Sequence, residues 1–536
     1  MALHDRINKE QAQRKGARRG SPPFYRHWLI VFLALLSVTG YVAGTYYSRG
    51  LLGFPLDDAW IHQTYARNLA QTGQLAYLPG QPSAGSTSPA WSFLLSVGYM
   101  LGVDFRLWAY LWGGLSLAAT AWLTYRLLLR LEARRLTAAW WAGLFCAVEW
   151  HLVWAAASGM ETILFTALSL ALIEYFFSQL AARRSPQVPG AMQTEQAVVA
   201  AIGIGLLGGV LTFTRPEGLA LAALVIAGLF LFPPPNRAEI RFRLWTGGIS
   251  LLALGLILTP YVWFNWNTAG SVFPNTFYAK QAEYRFGGWF LTRFWRVLRP
   301  TLVGAQVLLI PGFGYAIYRL VRRRDWPALL PFAWWLGFLV VYAWRLPVAY
   351  QHGRYTIPTI PILILYGVWG TSLFLRPRSA NLIVRVLSRA APLALGALAL
   401  LFWLRGGLAY RDDVGFIEGE MVTVAHWLND YTAPDDLIAV HDIGAVGYLT
   451  DRALLDLAGL ITPQVIPFIS DAGRLMDWML TEGADYVVFF PDFSPTYAQL
   501  ATDPRLEQVY CTGYPWTRAQ GQENLCVYRL LTEGQP

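Results

Sequence analysis

Long apolar stretches separated by short polar segments dominate the first three quarters of the chain. Eleven of them are roughly 17 to 24 residues long, the length that a helix needs to cross the hydrocarbon core of a bilayer. They fall approximately at residues 28–48, 107–129, 136–157, 161–181, 197–213, 216–232, 243–264, 301–321, 326–345, 355–375 and 390–408. A further apolar stretch, Pro89 to Gly102, is too short to span and is typical of a re-entrant or interfacial helix. The pattern predicts a polytopic α-helical membrane protein with about eleven transmembrane helices.

The pattern changes after residue 410, where shorter apolar runs alternate with turn-forming residues. Runs typical of buried strands or of helices occur at Asp436–Val440, Asp485–Phe490 and Leu525–Arg529 (strands) and at Met421–Asp430 and Gly473–Glu482 (helices). These elements predict a soluble C-terminal α/β domain. Its segment His441–Ala445 reads as a strand-end turn, with a functional role as the alternative. The chain therefore divides into a basic N-terminal segment (1–27), a transmembrane domain with a large first outer loop (28–410, loop 49–106) and the α/β domain (411–536).

Composition agrees with a membrane location, and the charges give it an orientation. The chain is 55% hydrophobic and only 14% charged, whereas an ordinary soluble domain has about 25% charged residues. The part from Arg411 onward carries 6 basic and 19 acidic residues, and the remainder carries 36 and 14. Besides the basic start, clusters occur at Arg126–Arg135, Arg183–Arg184, Arg237–Arg243, Arg322–Arg324 and Arg376–Arg389. Such clusters are typical of cytoplasmic loops, so we predict a plasma-membrane protein with a cytoplasmic N-terminus, an extracytoplasmic C-terminal domain and no nucleic-acid partner.

Two adjacent carboxylates, Asp57 and Asp58, follow the first apolar span and are the most informative feature of the sequence. Neighbouring carboxylates at a membrane edge repel each other, and desolvation raises the proton affinity of at least one of them. The pair therefore suits a general base or a metal ligand. Alternatively, Asp58 caps the helix predicted over Ala59–Leu69, because aspartate before an apolar-periodic run is a good cap. We predict that Asp57 is the base and that Asp58 is a cap or a helper.

Three more charged residues, at two junctions, fall on the same predicted outer face. Glu161 either complements the dipole of the fourth span or joins the acidic pair as a second functional carboxylate. Arg215 and Glu217 flank Pro216 at a later junction. They form either a local ion pair or a site that orients a phosphate or the acidic cluster. Charges of both signs collected on one membrane face predict a functional site there.

Cations on this face are candidates to bind a substrate phosphate. Lys280, His352 and Arg354 serve either as interfacial anchors or as phosphate ligands. Several of them beside an acidic pair favour a lipid-phosphate substrate. The other candidate substrate-binding residues are Arg215, Tyr65, Arg67 and Asn275.

Metal and redox chemistry are not required by the sequence. It contains no HExxH, paired CxxC, Walker or dinucleotide-binding motif. No cofactor is predicted with certainty. If a divalent cation such as Mg²⁺ or Mn²⁺ binds, Asp58 and Glu161 are its expected ligands. Cys511 and Cys526 permit a disulfide in the tail, although two reduced thiols fit the sequence equally well.

Several motifs together resemble the GT-C superfamily of glycosyltransferases, most closely the mycobacterial cell-wall enzymes that add terminal arabinofuranose. They are Leu56–Leu69, Gly85–Trp91, Ser158–Thr162, Thr214–Gly218 and Pro274–Lys280, in this order along the membrane part. The resemblance implies a GT-C-like fold and a polyprenyl-phosphate-linked sugar donor. It also implies an acidic base in the first outer loop, at Asp57 or Asp58, and a second acid at Glu161.

These observations predict a membrane glycosyltransferase that moves a sugar, which the resemblance suggests is a pentofuranose, from a polyprenyl-phosphate donor. The expected acceptor is a glycan, lipid or protein on the outer membrane face, and membrane lipids surround the protein. The alternative is a transporter or flippase for a lipid-linked or polar solute, whose charges should lie near the bilayer midplane. A third alternative is an inactive scaffold that binds through its tail.

Overall fold

The membrane part of the computed structural model is built almost entirely from helices. The model describes residues 25–183, 190–232, 240–283, 287–375 and 377–531. The helices of this part are α1 (Tyr25–Arg49), α2 (Asp57–Thr72), α3 (Pro89–Met100), α4 (Phe105–Leu131), α5 (Leu136–Val148), α6 (Trp150–Ala157), α7 (Thr162–Arg183), α8 (Gly190–Thr214), α9 (Gly218–Leu231), α10 (Ile240–Ala269), α11 (Asn275–Glu283), α12 (Phe290–Thr301), α13 (Ile310–Arg323), α14 (Leu330–Arg345), α15 (Ile360–Phe374) and α16 (Leu382–Ile417). Most of the predicted basic segment 1–27 lies outside the described residues, as do Arg184, Arg237 and Arg376.

Every one of the eleven predicted apolar segments forms a helix or a pair of helices. Among the described residues, seven helices are long and apolar enough to cross a membrane, or up to nine if each of two bent pairs is one span. One pair is α5 with α6, bent by 49°. The polytopic helical class is confirmed. The count of eleven spans stays a prediction, because α9 has only 14 residues and α4 is rich in tryptophan, tyrosine and glycine.

The first outer loop folds into α2, a small hairpin and the short helix α3. The hairpin pairs β1 (Ala76–Leu78) with β2 (Gln81–Pro82) in antiparallel fashion. Helix α2 begins at Asp57, follows an extended Leu56 and ends at Gly73, whose φ of 72° suits a left-handed C-cap. The prediction that Asp58 caps a helix starting at Ala59 is therefore wrong. Both aspartates lie in the first turn of α2, where they complement the helix dipole.

The C-terminal region forms the predicted α/β layer. Helix α17 (Thr423–Tyr431) leads into a five-stranded sheet with the order β4-β3-β5-β7-β6. Its elements are β3 (Leu437–Val440), α18 (Ile443–Leu449), β4 (Ala453–Asp456), α19 (Ala472–Thr481), β5 (Tyr486–Phe489), α20 (Pro495–Leu500), β6 (Leu506–Cys511), α21 (Pro515–Ala519) and β7 (Cys526–Leu530). Strands β4, β3 and β5 are parallel, and β7 is antiparallel to β5 and β6. Helix α16 runs continuously through the predicted domain boundary at residue 410.

One apolar core joins the membrane helices to one face of this sheet. Buried side chains of α18, including Ile443 and Val446, belong to the same cluster as Trp60 and Tyr65 of α2. A second, smaller core lies on the other face of the sheet under α19 and α20. The C-terminal domain is therefore seated on the outer loop, with the carboxyl ends of its parallel strands directed at α2 and α11.

The strands β6 and β7 are joined by a disulfide between Cys511 and Cys526, which sit opposite each other in the ladder. Changing both to serine is expected to lower the free energy of unfolding of the domain by about 3 kcal/mol, because a loop of about 15 residues gains that much chain entropy in the unfolded state. Chemical denaturation followed by proteolysis of the tail measures the change. Cys146→Ala is the control for cysteine removal elsewhere. An unchanged midpoint in the double variant would contradict this expectation.

Candidate active site

A cavity of about 460 Å³ opens between the outer loop, the junctions of several membrane helices and the C-terminal domain. One part of its wall is charged and comes from Asp58, His62, Glu161, Arg215, Glu217, Lys280, Arg345 and Arg354. The other part is apolar and includes Leu219, Ala220, Ala223, Phe273, Phe277 and Val341. Leu460 of the C-terminal domain also lines it. The cavity thus joins a polar reaction chamber to a surface suited to an aliphatic chain.

Asp58 is the acidic residue of the predicted pair that reaches this cavity. Its Oδ2 lies 2.5 Å from Nη1 of Arg354, and its side chain remains 28% exposed. Burial alone would raise the pKa of Asp58, but the positive charges of Arg354 and Lys280 outweigh it and hold that pKa well below its usual range. Asp58 is therefore ionised at neutral pH and accessible to a bound molecule.

Asp57 points instead into the interface with the C-terminal domain. Its Oδ2 accepts a hydrogen bond from the Gly444 amide at 2.6 Å, and its Oδ1 accepts one from the Ala445 amide at 2.8 Å. Burial, together with the negative charge of Asp442, raises the pKa of Asp57 to about 7. Asp57 is absent from the cavity wall. The structure therefore separates the two neighbouring carboxylates into different environments.

Glu161 lies between α6 and α7, at the centre of a buried ion-pair network. Its Oε2 is 3.3 Å from Nε2 of His62, and its Oε1 is 3.5 Å from Nη1 of Arg215. Burial alone would raise its pKa, but the hydrogen bond from His62 and the charge of Arg215 lower it to about 2. Arg215 also pairs with Glu217 at 2.9 Å and donates to the Tyr342 hydroxyl at 2.7 Å. Arg215 thus forms the predicted local ion pair with Glu217 and also contacts Glu161, whereas its role in orienting a phosphate or the acidic cluster stays a prediction.

Lys280, on α11, lines the cavity close to Arg354. Its Nζ donates to the Tyr355 hydroxyl at 2.7 Å, and the same hydroxyl accepts from Nη2 of Arg354 at 2.9 Å. Within the described part of the chain, no carboxylate lies within ion-pair distance of Lys280. A cation held in place by a neutral hydroxyl keeps its charge available for an anion in the cavity.

Four other predicted substrate-binding residues lie behind the cavity wall. Tyr65 bonds to Ser83 at 2.5 Å, and Arg67 donates to the carbonyl of Tyr448 at 2.8 Å. Asn275 donates to the carbonyl of Leu460 at 3.2 Å. His352 contacts the carboxylate of Asp413. Direct substrate contacts by these four residues stay predictions.

The turn Gln351–Gly353 has an unusual backbone and places Arg354 beside Asp58. Gln351, His352 and Gly353 have φ values of 51°, 57° and 69°, which is strained for the two non-glycine residues. Nε2 of His352 lies 2.8 Å from Oδ2 of Asp413, and this oxygen also accepts from the Trp154 indole. These contacts hold the turn, so His352 supports the site instead of lining it.

The two carboxylates expected to bind a metal ion, Asp58 and Glu161, do not lie in a ready-made cluster of metal ligands among the described residues. Among the described residues, no group of three or more His, Cys, Asp or Glu side chains could hold one. Both carboxylates already contact basic side chains, Asp58 the guanidinium of Arg354 and Glu161 the guanidinium of Arg215 and the imidazole of His62. A role of these carboxylates as ligands for Mg²⁺ or Mn²⁺ stays a prediction.

The cavity residues that sequence reasoning missed include His62, Tyr355, Arg345 and Leu460. A signal for His62 was present, because it lies four residues after Asp58 on one helix face. Tyr355 directly follows Arg354 in sequence. No local signal points to Leu460, which reaches the cavity only through the folding of the C-terminal domain.

The helical bundle with its large first outer loop and C-terminal α/β domain matches the folds of several solved membrane proteins, which confirms the predicted GT-C-like fold. The crystal structure of the Archaeoglobus fulgidus oligosaccharyltransferase in the apo form matches with a TM-score of 0.63 at 12% identity, covering 88% of this chain and 70% of that one. ArnT from Cupriavidus metallidurans, bound to undecaprenyl phosphate, matches with a TM-score of 0.59 at 17% identity over 95% and 98% of the two chains. The arabinofuranosyltransferase AftD from Mycobacteria matches with a TM-score of 0.51 at 16% identity, over 96% of this chain and 40% of that one.

Sequence comparison adds one match. Residues 411–528 fit the model of a domain of unknown function, DUF8728. This region coincides with the last turns of α16 and the C-terminal α/β domain. No curated protein matches the sequence.

Proposed function

We propose that this protein is a membrane glycosyltransferase that transfers a sugar from a polyprenyl-phosphate donor to an acceptor hydroxyl. The observation that carries the proposal is the cavity in which the accessible carboxylate of Asp58 faces the cations Arg354 and Lys280. An ionised carboxylate beside a site for an anion suits a transfer reaction. The carboxylate can take a proton from the acceptor, and the cations can stabilise the phosphate of the donor.

The donor is expected to bind with its phosphate at Lys280 and Arg354. The apolar wall formed by Leu219, Ala223 and Phe277 then receives the first prenyl units. Each buried CH₂ contributes about 0.8 kcal/mol to binding. Known proteins with this fold support a lipid phosphate ligand, because one was solved with dolichol-phosphate and another with undecaprenyl phosphate.

In the proposed reaction, an acceptor hydroxyl attacks the anomeric carbon of the sugar. The bond between this carbon and the phosphate oxygen breaks, and the polyprenyl phosphate leaves with the electron pair. The proton of the hydroxyl passes to a carboxylate, for which we propose Asp58. Donor binding brings the negative charge of the phosphate to Arg354 and Lys280. The two cations then stabilise the Asp58 carboxylate less, so the proton affinity of Asp58 rises when it acts as a base.

We propose the outer membrane face as the location of this chemistry, with the N-terminus in the cytoplasm. The Cys511–Cys526 disulfide supports an extracytoplasmic tail, because disulfides persist mainly in oxidising compartments. The cavity lies on the side of the membrane part that the C-terminal domain covers.

A panel assay tests the proposal. Purified full-length protein is incubated with polyprenyl-phosphate hexoses and polyprenyl-phosphate pentofuranoses, together with glycan, lipid and peptide acceptors, and products are detected by mass spectrometry. We expect transfer from at least one donor, with a pentofuranose the first choice because AftD, a protein with the same fold, is an arabinofuranosyltransferase. Failure of every donor, with solute uptake or lipid translocation in vesicles containing the protein, would favour a transporter or flippase.

A further inference from the structure

The C-terminal domain contacts the two walls of the cavity that carry Asp58 and Lys280. We propose that this domain is a positioning element of the active site, which fixes the proposed base and the proposed phosphate ligand relative to each other. The proposal rests on the function proposed above. It assigns a role to the region that matches a domain of unknown function.

The first contact fixes the start of α2. The carboxylate of Asp57 uses both oxygens to accept the amides of Gly444 and Ala445, at 2.6 and 2.8 Å. A Cβ at position 444 would overlap the carbonyl oxygen and Oδ2 of Asp57, so only glycine permits this approach. Asp58 is the next residue in the same helical turn. The hydrogen bonds from the C-terminal domain to Asp57 therefore also fix the position of Asp58 in the cavity.

The second contact fixes α11 near both of its ends. Nε2 of His441 lies 3.1 Å from Oε1 of Glu283, the last residue of the helix. Asn275, its first residue, donates to the carbonyl of Leu460 at 3.2 Å. Lys280 lies between these two attachments. Burial alone would lower the pKa of His441, but Asp442 and Glu283 outweigh it and raise that pKa, so the pair with Glu283 is ionic.

The third contact completes the cavity wall. Asp456, at the end of β4, accepts the amides of Ala458, Leu460 and Ile461 at 2.8, 2.5 and 2.8 Å. This fully buried carboxylate shapes the turn that presents Leu460 to the cavity. All three contacts come from the carboxyl ends of the parallel strands β3 and β4. One edge of a rigid sheet therefore aligns α2, α11 and the cavity wall.

Two single changes separate this role from a purely structural one. Gly444→Ala displaces the start of α2 and is expected to lower kcat by about 10- to 100-fold with little change in the donor KM, because a small misplacement of a catalytic group is costly. Glu283→Ala releases α11 and is expected to raise the donor KM by about 10-fold through Lys280. Glu283→Asp, which keeps the charge, should recover part of the loss.

Glu507→Gln, an exposed change on β6 of the same domain, is the control and should behave as wild type. If the Gly444 and Glu283 variants lose activity only in proportion to a lower melting temperature, or if each variant lowers kcat and raises the donor KM to a similar extent, the positioning role is wrong. Hydrogen exchange gives a readout without substrate: amides at the start of α2 should exchange faster in Gly444→Ala and those of α11 faster in Glu283→Ala. Equal exchange in all proteins would overturn the inference, whereas an inactive wild type with the expected exchange pattern would overturn only the proposed function.

Discussion

Asp58→Asn is expected to lower kcat for sugar transfer by about 10²- to 10⁴-fold, the usual contribution of a general base. The amide keeps the size of the side chain and one acceptor oxygen toward Arg354, but it cannot take the proton of the acceptor hydroxyl. The affinity for the polyprenyl-phosphate donor should change little or increase slightly, because a negative charge beside the phosphate site is removed. Single-turnover transfer and equilibrium donor binding by the purified variant measure the two effects separately.

Asp57→Asn is the matched comparison, since it changes the adjacent carboxylate by the same atoms. We expect a smaller loss, because Asp57 accepts backbone amides of the C-terminal domain and lies outside the cavity wall. Asp435→Asn, at an exposed position of the tail, controls for the loss of one negative charge. If Asp57→Asn abolishes transfer in a folded protein while Asp58→Asn keeps at least one tenth of it, Asp57 is the base and our assignment is reversed.

The acidic pair shows how far the sequence leads to the site. Its position after the first span, on the face that also collects Glu161 and the cations, follows from apolar periodicity and charge, and both signals are local. Which of the two carboxylates faces the cavity is decided by Gly444, 387 residues further along the chain. The preference for Asp57 as the base came from capping rules, which assign Asp58 to the helix start. The hydrogen bonds that Asp57 accepts from Gly444 and Ala445 remove this reason for preferring Asp57.

The same limit applies to the other candidate residues. Lys280 and Arg354 were predicted as phosphate ligands, and both line the cavity. His352, two residues before Arg354, has the same local signal but contacts Asp413 through a turn with positive φ values. A sequence pattern places such residues on one face of the membrane, but backbone conformation decides which side chains point inward.

The membrane helices could be predicted from the sequence because bilayer thickness sets the length of each apolar segment. The sheet was only partly predicted. Strands β3, β4 and β5 are buried after their first residue, β7 is buried except at Arg529, and β6, which was not predicted, is largely exposed. The role of β4 depends on Asp456 and Leu460, whose importance appears only when the domain is seated on the outer loop.

Lys280→Met is the second change with a large expected effect. It keeps the apolar length of the side chain and removes one of the two cavity cations, Lys280 and Arg345, that have no carboxylate within ion-pair distance among the described residues. We expect kcat/KM for the donor to fall by about 10²- to 10³-fold, the usual consequence of removing a group that stabilises the charge of a leaving oxyanion. Titration with polyprenyl phosphate alone should show weaker binding, since the product carries the phosphate that we propose Lys280 binds. The acceptor KM should stay close to its wild-type value.

The alternative is that Lys280 anchors α11 at the level of the lipid headgroups, and two further variants separate the two roles. Lys280→Arg keeps a cation at the same position and should recover much of the activity if charge is what the donor needs. Arg299→Met removes an exposed cation from α12, away from the cavity wall, and should leave transfer unchanged if general attraction to lipid headgroups contributes little. If Lys280→Met keeps kcat/KM within about 3-fold of wild type, which is less than 1 kcal/mol of transition-state stabilisation, the donor phosphate binds elsewhere. Arg354, already paired with Asp58, would then be the first position to examine, because phosphate binding there must compete directly with the carboxylate of the proposed base.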